Sequence, residues 1–256
     1  MIIDTHAHFS DHRFDKDRRE ALQEAHDSGV ELIVEVGAGF ESTRDALKLA
    51  SQYDYVYAAV GIHPDEVEQM KPEDIEWLRG LCSGEKVVAV GEIGLDYHYE
   101  DGAPREVQME WFRRQLQLAR EVDKPVIIHS REAAQDTLQI MQEEEAGRVG
   151  GVVHCFGYSV EMARIYVKMG FYIGVGGVVT FKNARKLRKV VEDTPLSRIV
   201  LETDTPYMAP EPHRGKRNTS AYLPYVAAQI AQIKGVTPEE VIRCTAENAR
   251  NMYRLG

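Results

Sequence analysis

Cysteine is scarce in this chain, and long apolar runs are missing. Cys82, Cys155 and Cys244 are the only three thiols; they are far apart and form no CxxC pair. That spacing implies no disulfide framework and fits a reducing compartment. No apolar stretch approaches the roughly 18 residues needed to cross a bilayer. The opening Met1-Ile2-Ile3-Asp4-Thr5-His6 lacks the basic region and apolar core of a signal peptide. Arg18-Arg19 is a twin arginine by letter only, since it lies in an acidic, helix-like stretch with no apolar segment behind it. No low-complexity segment, linker or repeat interrupts the chain. These absences predict a cytoplasmic protein with no membrane contact and give no sign of an obligate protein partner. Positive charge is also short: 31 Lys and Arg against 41 Asp and Glu leave a formal charge of −10. A surface that coats polyanions generally is therefore not expected. A nucleic-acid substrate is still open, because metal ions and a few arginines can create a local positive field.

What is present is an ordinary globular composition, 43% hydrophobic and 28% charged over 256 residues, a common size for one α/β barrel. Short Val/Ile-rich runs alternate with helical patterns. The runs predict strands at 2–7, 31–37, 55–61, 86–91, 124–129, 150–154, 171–175 and 198–203. Helices are expected near 15–28, 41–52, 72–80, 104–122, 131–145, 159–169, 182–192 and 220–234. A further helix at 238–250 is announced by Thr237-Pro238-Glu239-Glu240, a cap, a first-turn proline and an acidic start. Eight strands each followed by a helix predict a (β/α)8 TIM barrel, a single domain spanning 1–256. The alternative is a doubly wound open sheet.

Six side chains of metal-ligand type sit near the predicted strand ends: His6, His8, Glu92, His129, His154 and Asp204. The ends of parallel strands meet at one face, so residues scattered over the chain can form one site. First and last strands both contribute, which favours the barrel. Four imidazoles and two carboxylates exceed the needs of one tetrahedral ion and suit two. In His6-Ala7-His8 the two rings share one side of an extended strand. Glu92 follows an apolar run, where an unpaired carboxylate would be costly; its two oxygens could bridge two ions, or it could be a salt-bridged structural residue. His129 and His154 end apolar strands, where a lone histidine is commonly a hydrogen-bonded core residue; two of them beside a His-x-His pair favour ligation. By alternation Glu202 and Asp204 share an orientation, so Asp204, nearer the strand end, is assigned to the metal and Glu202 to support of neighbouring ligands.

Substrate contacts are expected at His63 in His63-Pro64-Asp65, a candidate proton donor or phosphate contact, although His-Pro also suits a simple turn. Arg131 could clamp a phosphate or pair with a helix carboxylate. The basic loop Arg214-Gly215-Lys216-Arg217-Asn218 follows the last strand, where barrels often bind phosphate; the alternative is a solvated surface loop. His12, His26 and His98 lack a strand-end context and are read as surface or turn residues.

The chain resembles the TatD-type metal-dependent deoxyribonucleases, within the amidohydrolase-like hydrolases. The residues that carry the resemblance are Asp4-Thr5-His6-Ala7-His8, Gly61-Ile62-His63-Pro64, Gly91-Glu92-Ile93-Gly94-Leu95-Asp96-Tyr97, Pro125 to Arg131, His154-Cys155-Phe156, Leu201 to Tyr207 and the Arg214–Asn218 loop. They cover essentially the full length in one order. The resemblance implies a barrel, a divalent-metal centre with ligands His6, His8, Glu92, His129, His154 and Asp204, and hydrolysis of phosphodiester bonds in DNA. No lysine stands at the fourth strand end to be carboxylated as in much of the wider superfamily; Glu92 takes that place.

The expected chemistry is attack by an activated water. His6, His8 and Asp204 would hold one ion, His129 and His154 the other, with Glu92 bridging. Asp204 would orient or deprotonate the water, and His63, Arg131, Arg214 and Lys216 would hold phosphate and stabilise leaving-group charge. Mixed His/carboxylate ligation suits zinc, manganese or other first-row ions better than calcium, with magnesium possible. Single-stranded or terminal DNA is the expected substrate. Hydrolysis of a carboxylic ester or amide, such as an aminoacyl ester on tRNA, is the rival enzymatic reading, because fold does not fix substrate. A non-catalytic metal-binding module is the rival of another class.

Overall fold

Val, Ile and Ala dominate eight short segments that are buried along nearly their whole length, the pattern of parallel strands covered on both faces. The computed structural model describes residues 1–255. Its strands are β1 (Ile2–Ala7), β2 (Val30–Val36), β3 (Val56–Val60), β4 (Val87–Asp96), β5 (Val126–Arg131), β6 (Gly151–Val153), β7 (Tyr172–Val175) and β8 (Ile199–Leu201). A helix follows each: α1 (Arg18–Asp27), α2 (Phe40–Gln52), α3 (Pro72–Leu81), α4 (Arg105–Glu121), α5 (Ala134–Glu143), α6 (Val160–Lys168), α7 (Arg185–Asp193) and α8 (Leu223–Lys234), with α9 (Pro238–Tyr253) last. Strand order is the sequence order, β1 to β8, and the pairs β1–β2, β3–β4, β4–β5, β5–β6 and β7–β8 are parallel. This is the (β/α)8, or TIM-barrel, fold.

Internal packing divides the chain into two compact units, one made of Met1–Glu35 with His154 onward, the other of Val36–Val153.

In the first unit the chain's beginning meets the segment after its last strand. Ala7 forms a parallel bridge with Thr205, and His8 N donates to Thr205 O at 2.9 Å. Asp4, fully buried, ties them further. Its carboxylate accepts from His6 N (3.2 Å), Thr203 N (3.0 Å), Thr203 Oγ1 (2.6 Å) and Ser220 Oγ (2.6 Å). Burial lifts the Asp4 pKa to about 6, and these hydrogen bonds work against that rise. Helix α9 covers β1 and β8: Tyr253 donates its hydroxyl to Thr5 O (2.8 Å), and Asn248 donates to Ile199 O (2.7 Å). As its sequence predicts, α9 is capped by Thr237, whose Oγ1 accepts from Glu240 N at 3.2 Å, ahead of Pro238.

The second unit centres on β4, ten residues long and buried throughout. Its pairing with β5 is regular from Ile93↔Ile128 to Asp96↔Arg131 and irregular between Val90 and Ile93, the stretch that holds Glu92. Such an irregularity re-aims a side chain.

Several boundaries differ from expectation, and three of them bear on the site or its surroundings. β4 runs to Asp96 rather than stopping at 91, so Glu92 lies inside the strand. Its glycines serve close strand approach, not a turn: at Gly94, with φ of +148°, a Cβ would stand 1.9 Å from the His129 carbonyl oxygen. β8 ends at Leu201 rather than 203, because Thr203 N turns to the Asp4 carboxylate. α1 begins at Arg18 rather than 15, with His12–Phe14 in a separate 3-10 turn.

Candidate metal centre

In the first unit, the period-two geometry of β1 sends His6 and His8 to the same side. Their Nε2 atoms face each other at 3.0 Å, with the rings edge-on. Asp204 Oδ1 approaches both, 3.6 Å from His6 Nε2 and 3.4 Å from His8 Nε2. Two imidazole nitrogens and a carboxylate oxygen converging on one point are a donor set that suits a first-row divalent ion. His154, at the end of β6, stacks on His6 with ring centroids 3.9 Å apart. Burial pushes the Asp204 carboxyl up, but His8, His154 and His6 outweigh it and hold the group below the usual carboxylate range. Asp204 is therefore an anion at neutral pH. Its backbone, at φ of +55°, is in the left-handed region, a strained conformation for a non-glycine residue.

Glu202 and Asp204 line the same cavity but make different contacts. The alternation expected to align them ends with β8 at Leu201, and the positive φ at Asp204 turns the chain. Glu202 Oε1 instead accepts from Cys155 N at 2.5 Å and lies 3.8 Å from His154 Nδ1. Burial raises its pKa to about 7. His6, His154 and Glu202 also form a donor cluster spanning no more than 4.8 Å. A Cβ at Gly174 on β7 would come within 2.3 Å of the Glu202 carboxylate, so glycine there makes room for it.

In the second unit, Glu92 on β4 and His129 on β5 meet with Glu92 Oε1 2.8 Å from His129 Nδ1. The other ring nitrogen, Nε2, is 3.0 Å from Asp96 Oδ2. Burial works to lower the His129 pKa, but Asp96 and Glu92 together raise it to about 10. His63 Nε2 stands 3.8 Å from Glu92 Oε1, while its Nδ1 accepts from Asp65 N at 3.2 Å. That backbone hydrogen bond leaves the proton of a neutral ring on Nε2, on the Glu92 side. His63, Asp96 and His129 form a second donor cluster of the same span.

The sequence reading assigned no role to Asp96 or Glu35. Asp96 shares the strand face of Glu92 by alternation, a signal visible once β4 is known to continue. Glu35, fully buried, accepts from Phe9 N and Ser10 N, both at 2.8 Å, and so fixes the turn that follows His8.

The expected phosphate contacts lie apart in sequence. Arg131 ends β5; its guanidinium lies over the Tyr99 ring and donates to the Tyr99 hydroxyl at 3.3 Å, rather than pairing with a helix carboxylate. Arg214 stacks on Phe181 at 4.3 Å, and Lys216 is exposed. Arg217 is engaged by Asp17, Nη2 to Oδ2 at 2.6 Å. His12 is exposed, His26 Nδ1 is 3.1 Å from Val30 O, and His98 pairs with Glu132 at 2.7 Å. None of these three belongs to the histidine–carboxylate clusters found among the described residues. Among the described residues no helix is long and apolar enough to cross a membrane.

A (β/α)8 fold whose strand ends carry histidine–carboxylate clusters able to bind metal fits a metal-dependent hydrolase. The chain belongs to the TatD family: the family model described as "TatD related DNase" matches residues 3–254. It is 46% identical over the full length of both chains to the uncharacterized metal-dependent hydrolase YabD of Bacillus subtilis. It is 38% identical to YcfH of Escherichia coli, also an uncharacterized metal-dependent hydrolase, over all of this chain and 96% of that one. Among solved structures, the TatD homolog YjjV of Escherichia coli superposes with a TM-score of 0.93 at 34% identity, covering 100% of this chain and 98% of the other.

Proposed function

We propose that the protein hydrolyses phosphodiester bonds in DNA, at single-stranded segments or ends, using two divalent ions of zinc, manganese or magnesium. The observation that supports this most is the convergence of an anionic Asp204 on the His6–His8 pair, in the same unit as the basic loop at 214–217. The family description supplies the substrate class.

In this reading His6, His8 and Asp204 would hold one ion and His129, His154 and Glu92 would serve the other. Bound ions would polarise a phosphoryl oxygen and lower the pKa of a water from about 15.7 toward neutrality. Asp204 orients that water and takes its proton. His63 carries its proton on Nε2 and delivers it to the leaving oxygen. Asp96 fixes the ring of His129, and Glu202 sits behind His154. Arg131, Arg214 and Lys216 hold phosphates. The setting is cytoplasmic, and no protein partner is required.

The test is to strip the protein of metal, restore one metal at a time, and assay 5′- and 3′-labelled single-stranded DNA beside a panel of carboxyl esters that includes an aminoacyl ester. Metal-dependent cleavage of DNA is expected. Arg214→Ala should weaken DNA binding without lowering metal content. Turnover of esters with no phosphodiester cleaved would replace this reading with an ester hydrolase.

A further inference from the structure

Beside Asp204 and Glu202, within the first unit, lies a cavity of about 270 Å³. Its walls are mainly apolar: Phe156, Val178, Leu187 and Met208, with glycines at 174, 176 and 177 in place of side chains. The glycines are structural necessities, since a Cβ at Gly177 would stand 2.1 Å from the Met208 carbonyl oxygen. Asn183 and Lys186 form the rim. Ligand pockets for drug-sized molecules run to roughly 300–1,000 Å³, so this one suits a single ring system rather than a whole nucleotide. Glu202 Oε2, almost wholly buried on its wall, has no hydrogen-bond partner. A polar atom in that state is an acceptor for a ligand's N–H.

The rim is strongly basic. Lys182, Arg185, Lys186 and Lys189 are exposed around the start of α7, whose far end carries Glu192 and Asp193. That order is the reverse of what the helix dipole favours, which is acid at the start and base at the end. Asp193 is held by Arg164 Nε at 2.9 Å, and Arg188 donates to the carbonyls of Val179, Thr180 and Phe181, fixing the segment that roofs the cavity. Among the described residues, Lys182, Arg185, Lys186 and Lys189 form no ion pair. Arg214, stacked on Phe181, extends this basic surface to the loop after β8. In a chain with a formal charge of −10, a basic surface placed against a helix dipole points to an anionic ligand rather than to stability.

We infer that this cavity receives the nucleobase of the nucleotide next to the scissile bond, and that Lys182, Arg185, Lys186 and Arg214 track the adjoining phosphates of a single strand. The inference rests on the proposed hydrolysis of DNA and adds the part of the strand that is recognised. The half-buried Val178 and Met208 supply an apolar face, which tolerates any base. Asn183 and Glu202 Oε2 offer groups to the base edge. A duplex holds its bases stacked inside, so the cavity selects unpaired strands.

The test is binding of fluorescent phosphorothioate single strands of about 12 nucleotides, within the range one such groove covers, to the metal-loaded protein, followed by anisotropy over a salt series. Strands lacking a base at one of the terminal positions are compared with complete strands. Wild-type protein should bind the best-placed abasic strand on the order of tenfold more weakly, the size of a lost apolar contact. Val178→Ala/Met208→Ala should remove that difference. Lys182→Gln/Arg185→Gln/Lys186→Gln should flatten the log affinity against log salt slope by about 2, at roughly 0.7 per lost phosphate contact. Equal binding of abasic and complete strands by the wild-type protein, with phosphodiester cleavage intact, overturns the cavity assignment alone. Absence of phosphodiester cleavage with turnover of esters overturns the underlying reading and this inference with it.

Discussion

His129 Nε2 lies 3.0 Å from Asp96 Oδ2, so the carboxylate of one strand fixes the ring of the next. The other ring nitrogen, Nδ1, meets Glu92 Oε1 at 2.8 Å, so each nitrogen faces a carboxylate. A ligand histidine held this way is more basic and better aimed. Asp96→Asn should lower metal affinity or activity by about 10–100-fold, the range for such supporting groups. Chelator competition measures it, with thermal unfolding of the metal-free variant as the control. Unchanged metal affinity would remove Asp96 from this role.

Asp204 and Glu202 should separate kinetically. Asp204→Asn keeps shape and removes the base, so kcat should fall by about 10²–10⁴-fold at saturating metal. Glu202→Gln should cost about 10–100-fold. Kinetics of both variants under the same conditions decide between them. A larger loss in Glu202→Gln would reverse the roles.

Glu92 is buried and faces both His129 and His63. Purified protein should carry up to two divalent ions, and Glu92→Ala should lose metal together with most metal-dependent activity. Elemental analysis and chelator sensitivity check this. A metal-free protein whose activity ignores chelators contradicts the proposal.

Gly174→Ala places a methyl 2.3 Å from the Glu202 carboxylate, whose other oxygen is held by Cys155 N at 2.5 Å. A destabilisation of about 1–3 kcal/mol is expected for such overpacking. Denaturant unfolding measures it. The same variant paired with Glu202→Ala should recover much of the loss, because the clash is gone.

Cys82 is buried, and burial pushes its thiol up to about 11. The thiolate is the reactive form, so at neutral pH Cys82 should resist alkylation in the folded protein and react once it is unfolded. Mass-spectrometric mapping after timed alkylation checks this.

Much of the architecture is legible in the chain because each strand is a compact apolar run and each helix begins near a recognisable start signal. His6, His8, His129 and His154 stand out because imidazoles interrupt or end such runs. Asp96 escaped because Gly91 and Gly94 look like turn residues, whereas they permit close backbone approach within β4. The difference in contacts between Glu202 and Asp204 was hidden for a related reason. Alternation applies only while the strand lasts, and the pull of Asp4 on Thr203 ends β8 early. Glu35 reads as one carboxylate among many, since its use as an acceptor for Phe9 and Ser10 depends on a turn that leaves no mark on its own neighbours in sequence.

The tie between Asp4 and Thr203 joins residues 199 positions apart. On a ribosome adding about 5–20 residues per second, these two are made roughly 10–40 s apart. His6 and His8 thus emerge early and wait, without Asp204, for most of synthesis. A nascent or truncated chain holds an exposed His-x-His pair with no carboxylate to complete it. The proposed cleavage therefore waits until Asp204 has been made.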